Sequence, residues 1–120
     1  MATAISPRPS VPSPYVAGRI GVPAGTPVNL LGLIQAQLDP NCPGTAVELQ
    51  IVADRANTVP VYVGAYSRLA GPLSASNWGS ELLAGDGRVY ASTYPGSSVP
   101  LGQLQVFAAA QAWLHVEVQT

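Results

Sequence analysis

From residue 28 onward the chain is written in short apolar segments, each closed by Pro, Gly, Asn or Asp. That punctuation leaves room for strands and little else, because a strand needs only a few residues of alternating polarity. The clearest is 46–53, where Val47, Leu49, Ile51 and Ala53 share one face and Glu48 and Gln50 the other. Residues 59–64 form a second, with Pro60 suiting an edge or a strand start. Gly85-Asp86-Gly87 has the chemistry of a tight hairpin turn and leads into a strand at 88–93. Two more follow at 103–108 and 113–118. In the last, Leu114, Val116 and Val118 face inward and Trp113, His115 and Glu117 outward. Residues 28–38 fit both periods, since Leu30, Ile34 and Leu38 also fall on one helical face. Pro27, Gly32 and Pro40 favour a strand over 26–33 with a helical turn near 34–38. Residues 39–44 are a turn cluster, and 65–77 a long connection. The fold class is therefore all-β: an antiparallel β-sandwich or jelly-roll-like barrel with under about a tenth helix. Its expected core is Leu30, Val47, Leu49, Ile51, Val61, Val63, Leu104, Val106, Leu114, Val116 and Val118.

Residues 1–27 read differently. They hold six of the twelve prolines, at 7, 9, 12, 14, 23 and 27. Proline fixes φ and pushes its predecessor to extended geometry. The stretch is expected to be an extended Pro-rich arm outside a sandwich domain at 28–120. Fully extended at ~3.1 Å per residue, about 25 residues of it would reach roughly 75 Å. Apolar side chains along it suit docking on a neighbour, with Arg8, Tyr15, Arg19 and Ile20 as the expected partner-binding residues.

Charge narrows the partners. Charged residues make up 9% of the 120-residue chain, and all five cations are Arg, against about 25% charged in ordinary domains. Either Ser, Thr, Asn and Gln cover the surface, or much of it lies against other proteins; the second is preferred, since interface cores are depleted in charge. The net charge is −1, and Arg8, Arg19, Arg55, Arg68 and Arg88 are scattered, which argues against nucleic acid. No apolar run is long enough to span a bilayer as a helix, and the N-terminal stretch lacks the pattern of a secretory signal. The single Cys42 has no partner for a disulfide, so synthesis in a cytoplasm is expected.

Enzymatic chemistry finds little footing. One His and one Cys, at 115 and 42, do not make a metal site. Asp39, Asp54 and Asp86 sit in turn sequences, and a cross-strand pairing of Glu48 with Glu117 has no further support. No Gly-x-Ser-x-Gly elbow occurs, and Gly85-Asp-Gly-Arg-Val-Tyr90 lacks the third glycine of a dinucleotide fingerprint. A non-enzyme without cofactors is expected. Trp78, in the loop sequence Ser-Asn-Trp-Gly, could stack on a sugar with nearby Tyr66, anchor a partner, or cap the sandwich end. Tyr62 and Trp113, expected on outer faces, are candidates for an oligomer interface.

The run Val61-Tyr-Val-Gly64, Leu73-Ser-Ala-Ser-Asn-Trp-Gly79, Leu82-Leu-Ala-Gly-Asp86, Gln105-Val-Phe-Ala108 and Val116-Glu-Val118 resembles the small β-sandwich virion proteins coded among tailed-phage structural genes. The likeness covers about residues 26–119. It implies a head decoration or cement protein at the capsid surface, bound to the major capsid protein and commonly trimeric. It implies no catalytic residues. Readings from other classes are a glycan- or receptor-binding module and a tail or neck connector subunit.

Overall fold

The computed structural model describes residues 15–65, 73–92 and 97–120. It is mostly antiparallel β-sheet, 51% strand and 12% helical, compatible with a sandwich-like all-β fold and with slightly more helix than the tenth expected. The strands are β1 (Tyr15–Val22), β2 (Val28–Asn29), β3 (Thr45–Ala46), β4 (Glu48–Ala53), β5 (Val61–Ala65), β6 (Ser80–Leu82), β7 (Gly87–Ala91), β8 (Val99–Pro100), β9 (Leu104–Ala108) and β10 (Ala112–Gln119). One four-stranded sheet has the order β1-β10-β4-β7 and the other β2-β9-β5-β6, with β3 and β8 as a separate pair. Consecutive strands mostly change sheet, so only β5 and β6 are both sequence neighbours and ladder partners.

The core lies between the two large sheets because inward residues alternate with outward ones. In the first sheet Ile20, Leu114 and Ala53 stand side by side, followed by Val116 with Ile51 and Val118 with Leu49. They join Val61, Val63, Val106 and Ala108 of the second sheet in one buried cluster. Every residue expected in the core is buried except Val47, which is 49% exposed. The reason is a break in the alternation. Ala46 is inward in the small β3–β8 pair, β4 starts at Glu48, and Val47 and Glu48 both face out at the step between sheets.

Three further expectations are corrected. Residues 15–22 are not part of an arm: they are β1, paired along their whole length with β10. Val16, Ile20 and Val22 are buried in the core, so the domain boundary near residue 28 is too late. The strand expected over 26–33 shrinks to Val28–Asn29, and α1 (Leu30–Gln37) follows at once. Asn29 explains this. Its side chain accepts from the Gly32 N–H at 3.1 Å, an N-cap at the position where a short polar side chain is most stabilising. Its amide also donates to the Gly102 carbonyl at 2.8 Å, and Leu30 and Ile34 are the buried positions one turn apart. Gly85 does turn tightly, at φ 88°, but the turn joins β6 of one sheet to β7 of the other and is not a hairpin.

The helix also protects a sheet edge. The Gly21 N–H donates to the Gln37 side chain at 2.7 Å, and the Gln37 amide donates back to the Gly21 carbonyl at 3.0 Å. These are the bonds a further strand would make, so part of the β1 edge is occupied from within the chain. Glycine at 18 lets the helix end approach: a Cβ there would stand 2.6 Å from Leu38 Cδ2.

Candidate functional site

The outer face of the first sheet carries a cluster of polar side chains. Ladder register places Arg19 beside His115 and Gly21 beside Trp113. Asp54, just past β4, donates its backbone N–H to the Trp113 carbonyl at 3.1 Å. Its carboxylate Oδ2 lies 2.9 Å from His115 Nε2 and 3.6 Å from Arg19 Nε. The Arg19 guanidinium carbon also sits 4.1 Å from the centroid of the Trp113 indole, a cation–π contact. The indole spreads over Gly21, where a Cβ would come 3.0 Å from Trp113 Cζ3. Asn57 brackets the Trp113 backbone, accepting from its N–H at 2.9 Å and donating to its carbonyl at 3.0 Å.

The Asp54 carboxyl is held below its ordinary range. The largest cause is the hydrogen bond it accepts from the Ala56 N–H, followed by that with His115, with the charges of Arg19 and His115 adding to it. A lowered folded-state value means that the unfolded chain binds more protons, so this carboxylate stabilises the fold above its unfolded value near about 4. The contribution fades as pH falls through the lower folded value. Asp54→Asn is therefore expected to melt below wild type at neutral pH, with the gap closing progressively as pH falls below about 4. Melting curves across that range check it; a gap that widens with acid contradicts the assignment.

The second sheet's outer face is aromatic. Tyr62 stands opposite Phe107 and Glu81, with ring centroids 6.3 Å from Phe107 and 5.9 Å from Trp78. Burial pushes the Tyr62 hydroxyl up from its ordinary value; the Glu81 carboxylate, to which it donates a hydrogen bond, adds to this.

The structure thus redistributes the expected site residues. Ile20 is fully buried in its own core and cannot contact a partner. Tyr62 is only 8% exposed, covered by its own chain, so little of it is left for an oligomer interface. Trp113 is half-buried under Arg19, and Arg19 serves its own sheet. Trp78 keeps the exposure expected of a contact residue, at 42%, and half of the Arg19 side chain is exposed as well. Arg8 and Tyr66 lie outside the described residues; so does the Tyr15 side chain, although its backbone pairs with Gln119. The Arg19–Asp54–His115–Trp113 cluster was not foreseen. Its signal was the outward phase of Trp113 and His115, but the β1 register that adds Arg19 was hidden in the presumed arm.

Cys42 is buried, and burial, with the Asp39 charge second, raises its thiol above the ordinary value. That favours the thiol over the thiolate nucleophile. Among the described residues no three His, Cys, Asp or Glu side chains gather closely enough to hold a metal ion, and no helix is long and apolar enough to cross a membrane. No protein-family model matches the chain, and no curated protein or solved structure matches it either.

Proposed function

We propose that this chain is an accessory structural subunit of a tailed-phage head, a decoration or cement protein that acts through protein contacts. It binds the major capsid protein at the virion surface and associates with itself as a homotrimer. The observation that carries the reading is the weakly charged strip of the first sheet beyond the Asp54 cluster. Val52, Gly87, Val89 and Ala91 lie there on β4 and β7, beside Gln50 and the single carboxylate Glu48, with Val47 at its end. Val89 is 54% exposed and Val47 49%. Exposed valines with one carboxylate at the end of the strip suit a protein contact with an apolar centre and a polar rim.

Gradient-purified particles of the encoding phage are expected to carry the chain in fixed ratio to the shell protein. Cryo-EM should place its density on the outer capsid surface at symmetry axes. Val89→Glu should cut occupancy at least tenfold, because an unpaired carboxylate would be buried in the contact. Its melting temperature should stay near wild type, since that side chain faces solvent. A chain absent from purified particles overturns the proposal, and density confined to the neck or tail replaces it with the connector reading.

A further inference from the structure

We infer that the cleft between the edge strands β6 and β7 is a binding site for a neutral saccharide. It encloses about 350 Å³, and Trp78, Ser80, Glu81, Asp86 and Arg88 line it. That volume falls within the range of small-ligand sites. The site lies on the side of the sandwich where two sheets present their edges to each other, and Arg88 bridges them. Arg88 is on the inward phase of β7, opposite Ile51. Its Nε and Nη2 both donate to Ser80 Oγ of β6, at 3.0 and 2.7 Å. Two of its five N–H groups thus fix the guanidinium plane at the cleft wall.

The lining matches a sugar better than other ligands. A pyranose has apolar C–H faces and a rim of hydroxyls that both donate and accept. Trp78 supplies a flat aromatic wall that is 42% exposed although its ring packs near Tyr62. Glu81 and Asp86 offer carboxylate acceptors, and Arg88 offers donors. Two carboxylates against one guanidinium leave the cleft net negative, which disfavours phosphate, sulfate and acidic sugars.

The site is also built in advance. The Leu83 N–H donates to Asp86 Oδ2 at 3.1 Å, and the Asp86 N–H donates to the Leu83 carbonyl at 2.8 Å. The Gly85 N–H donates to the Ala53 carbonyl at 2.9 Å. Glycine is needed at 85 because its φ of 88° is strained for other residues. A turn so tied down holds its carboxylate without an ordering penalty on binding.

The test is NMR titration of the full ¹⁵N-labelled chain with maltohexaose, cellohexaose and chitohexaose, and with hexagalacturonate as the acidic arm. At least one neutral probe is expected to shift the Trp78 indole and the amides of residues 79–88, with Kd in the range of about 10⁻⁵ to 10⁻³ M. Trp78→Ala should weaken that binding at least tenfold and Trp78→Phe much less, since a ring face remains. Hexagalacturonate should bind more weakly than the neutral probe. The inference is overturned by no shift with any neutral probe at about 10 mM, by shifts centred elsewhere, by binding that Trp78→Ala leaves intact, or by tighter binding of the acidic probe. Should Trp78→Ala destabilise the fold, the wild-type shift map and the Phe variant still decide. Capsid attachment uses the outer face of the first sheet and is read by Val89→Glu, whose side chain stands on the opposite phase of β7 from Arg88.

Discussion

A chain lacking residues 2–22 is expected to lose cooperative unfolding near room temperature, and a chain lacking residues 2–14 is its matched control. The first deletion removes β1, and with it Val16, Ile20 and Val22, all buried. Burying side chains of this size stabilises by about 1.5–3 kcal/mol each, so about 5–9 kcal/mol is at stake in a domain whose total is about 5–15 kcal/mol. Further losses follow from geometry. One whole side of β10 loses its ladder, and Gln37 loses the backbone groups of Gly21. Leu38 loses the floor it packs on at Gly18. The shorter deletion leaves every described strand in place. Thermal and urea melts followed by circular dichroism separate the two. A chain lacking 2–22 that still melts cooperatively within a few degrees of the control would show that the first sheet is complete at β10 without β1.

Why β1 escaped the sequence reading is instructive. Val16, Ile20 and Val22 keep a period of two, which is a strand signal. Two glycines interrupt it, and four prolines stand immediately before it, so the segment reads as a continuation of the extended stretch. The glycines are consequences of packing: Gly18 admits Leu38 and Gly21 lies under Trp113. Neither neighbour is close in sequence. The same holds for α1. Its cap is local and legible, Asn29 three residues before Gly32, but the second bond of Asn29 reaches Gly102. Strands β4, β5, β9 and β10 were legible because each is a short run with its apolar phase intact, and β7 because a Gly-Asp-Gly turn opens it. The cleft was not, since it forms where edges of different sheets meet, and the exposed Arg88 of β7 reaches across to Ser80 of β6.

Leu114→Ala is expected to cost about 2–5 kcal/mol and Val47→Ala less than about 0.5 kcal/mol, although both residues belong by pattern to apolar strand faces. Leu114 is fully buried at the centre of the first sheet, between Ile20 of β1 and Ala53 of β4. Ala53 is too small to fill a void beside it. The backbone there has little freedom to collapse, because the adjoining Trp113 is pinned by Asn57 on both its N–H and its carbonyl and by the Asp54 N–H. A cavity that cannot relax puts the loss in the upper part of the range. At ~4–8 °C per kcal/mol the melting temperature should fall by roughly 10 °C or more. Val47 is half exposed at the step into β4, and what it contributes is backbone: its N–H donates to the Gln119 carbonyl at 2.7 Å and its carbonyl accepts from the Ser92 N–H at 3.0 Å. Alanine keeps both bonds. Urea melts of the two variants with unchanged slope test the contrast directly. If Val47→Ala were the costlier change, Val47 would stand inward in phase with Leu49, Ile51 and Ala53, and the break in alternation at the step into β4 would not exist.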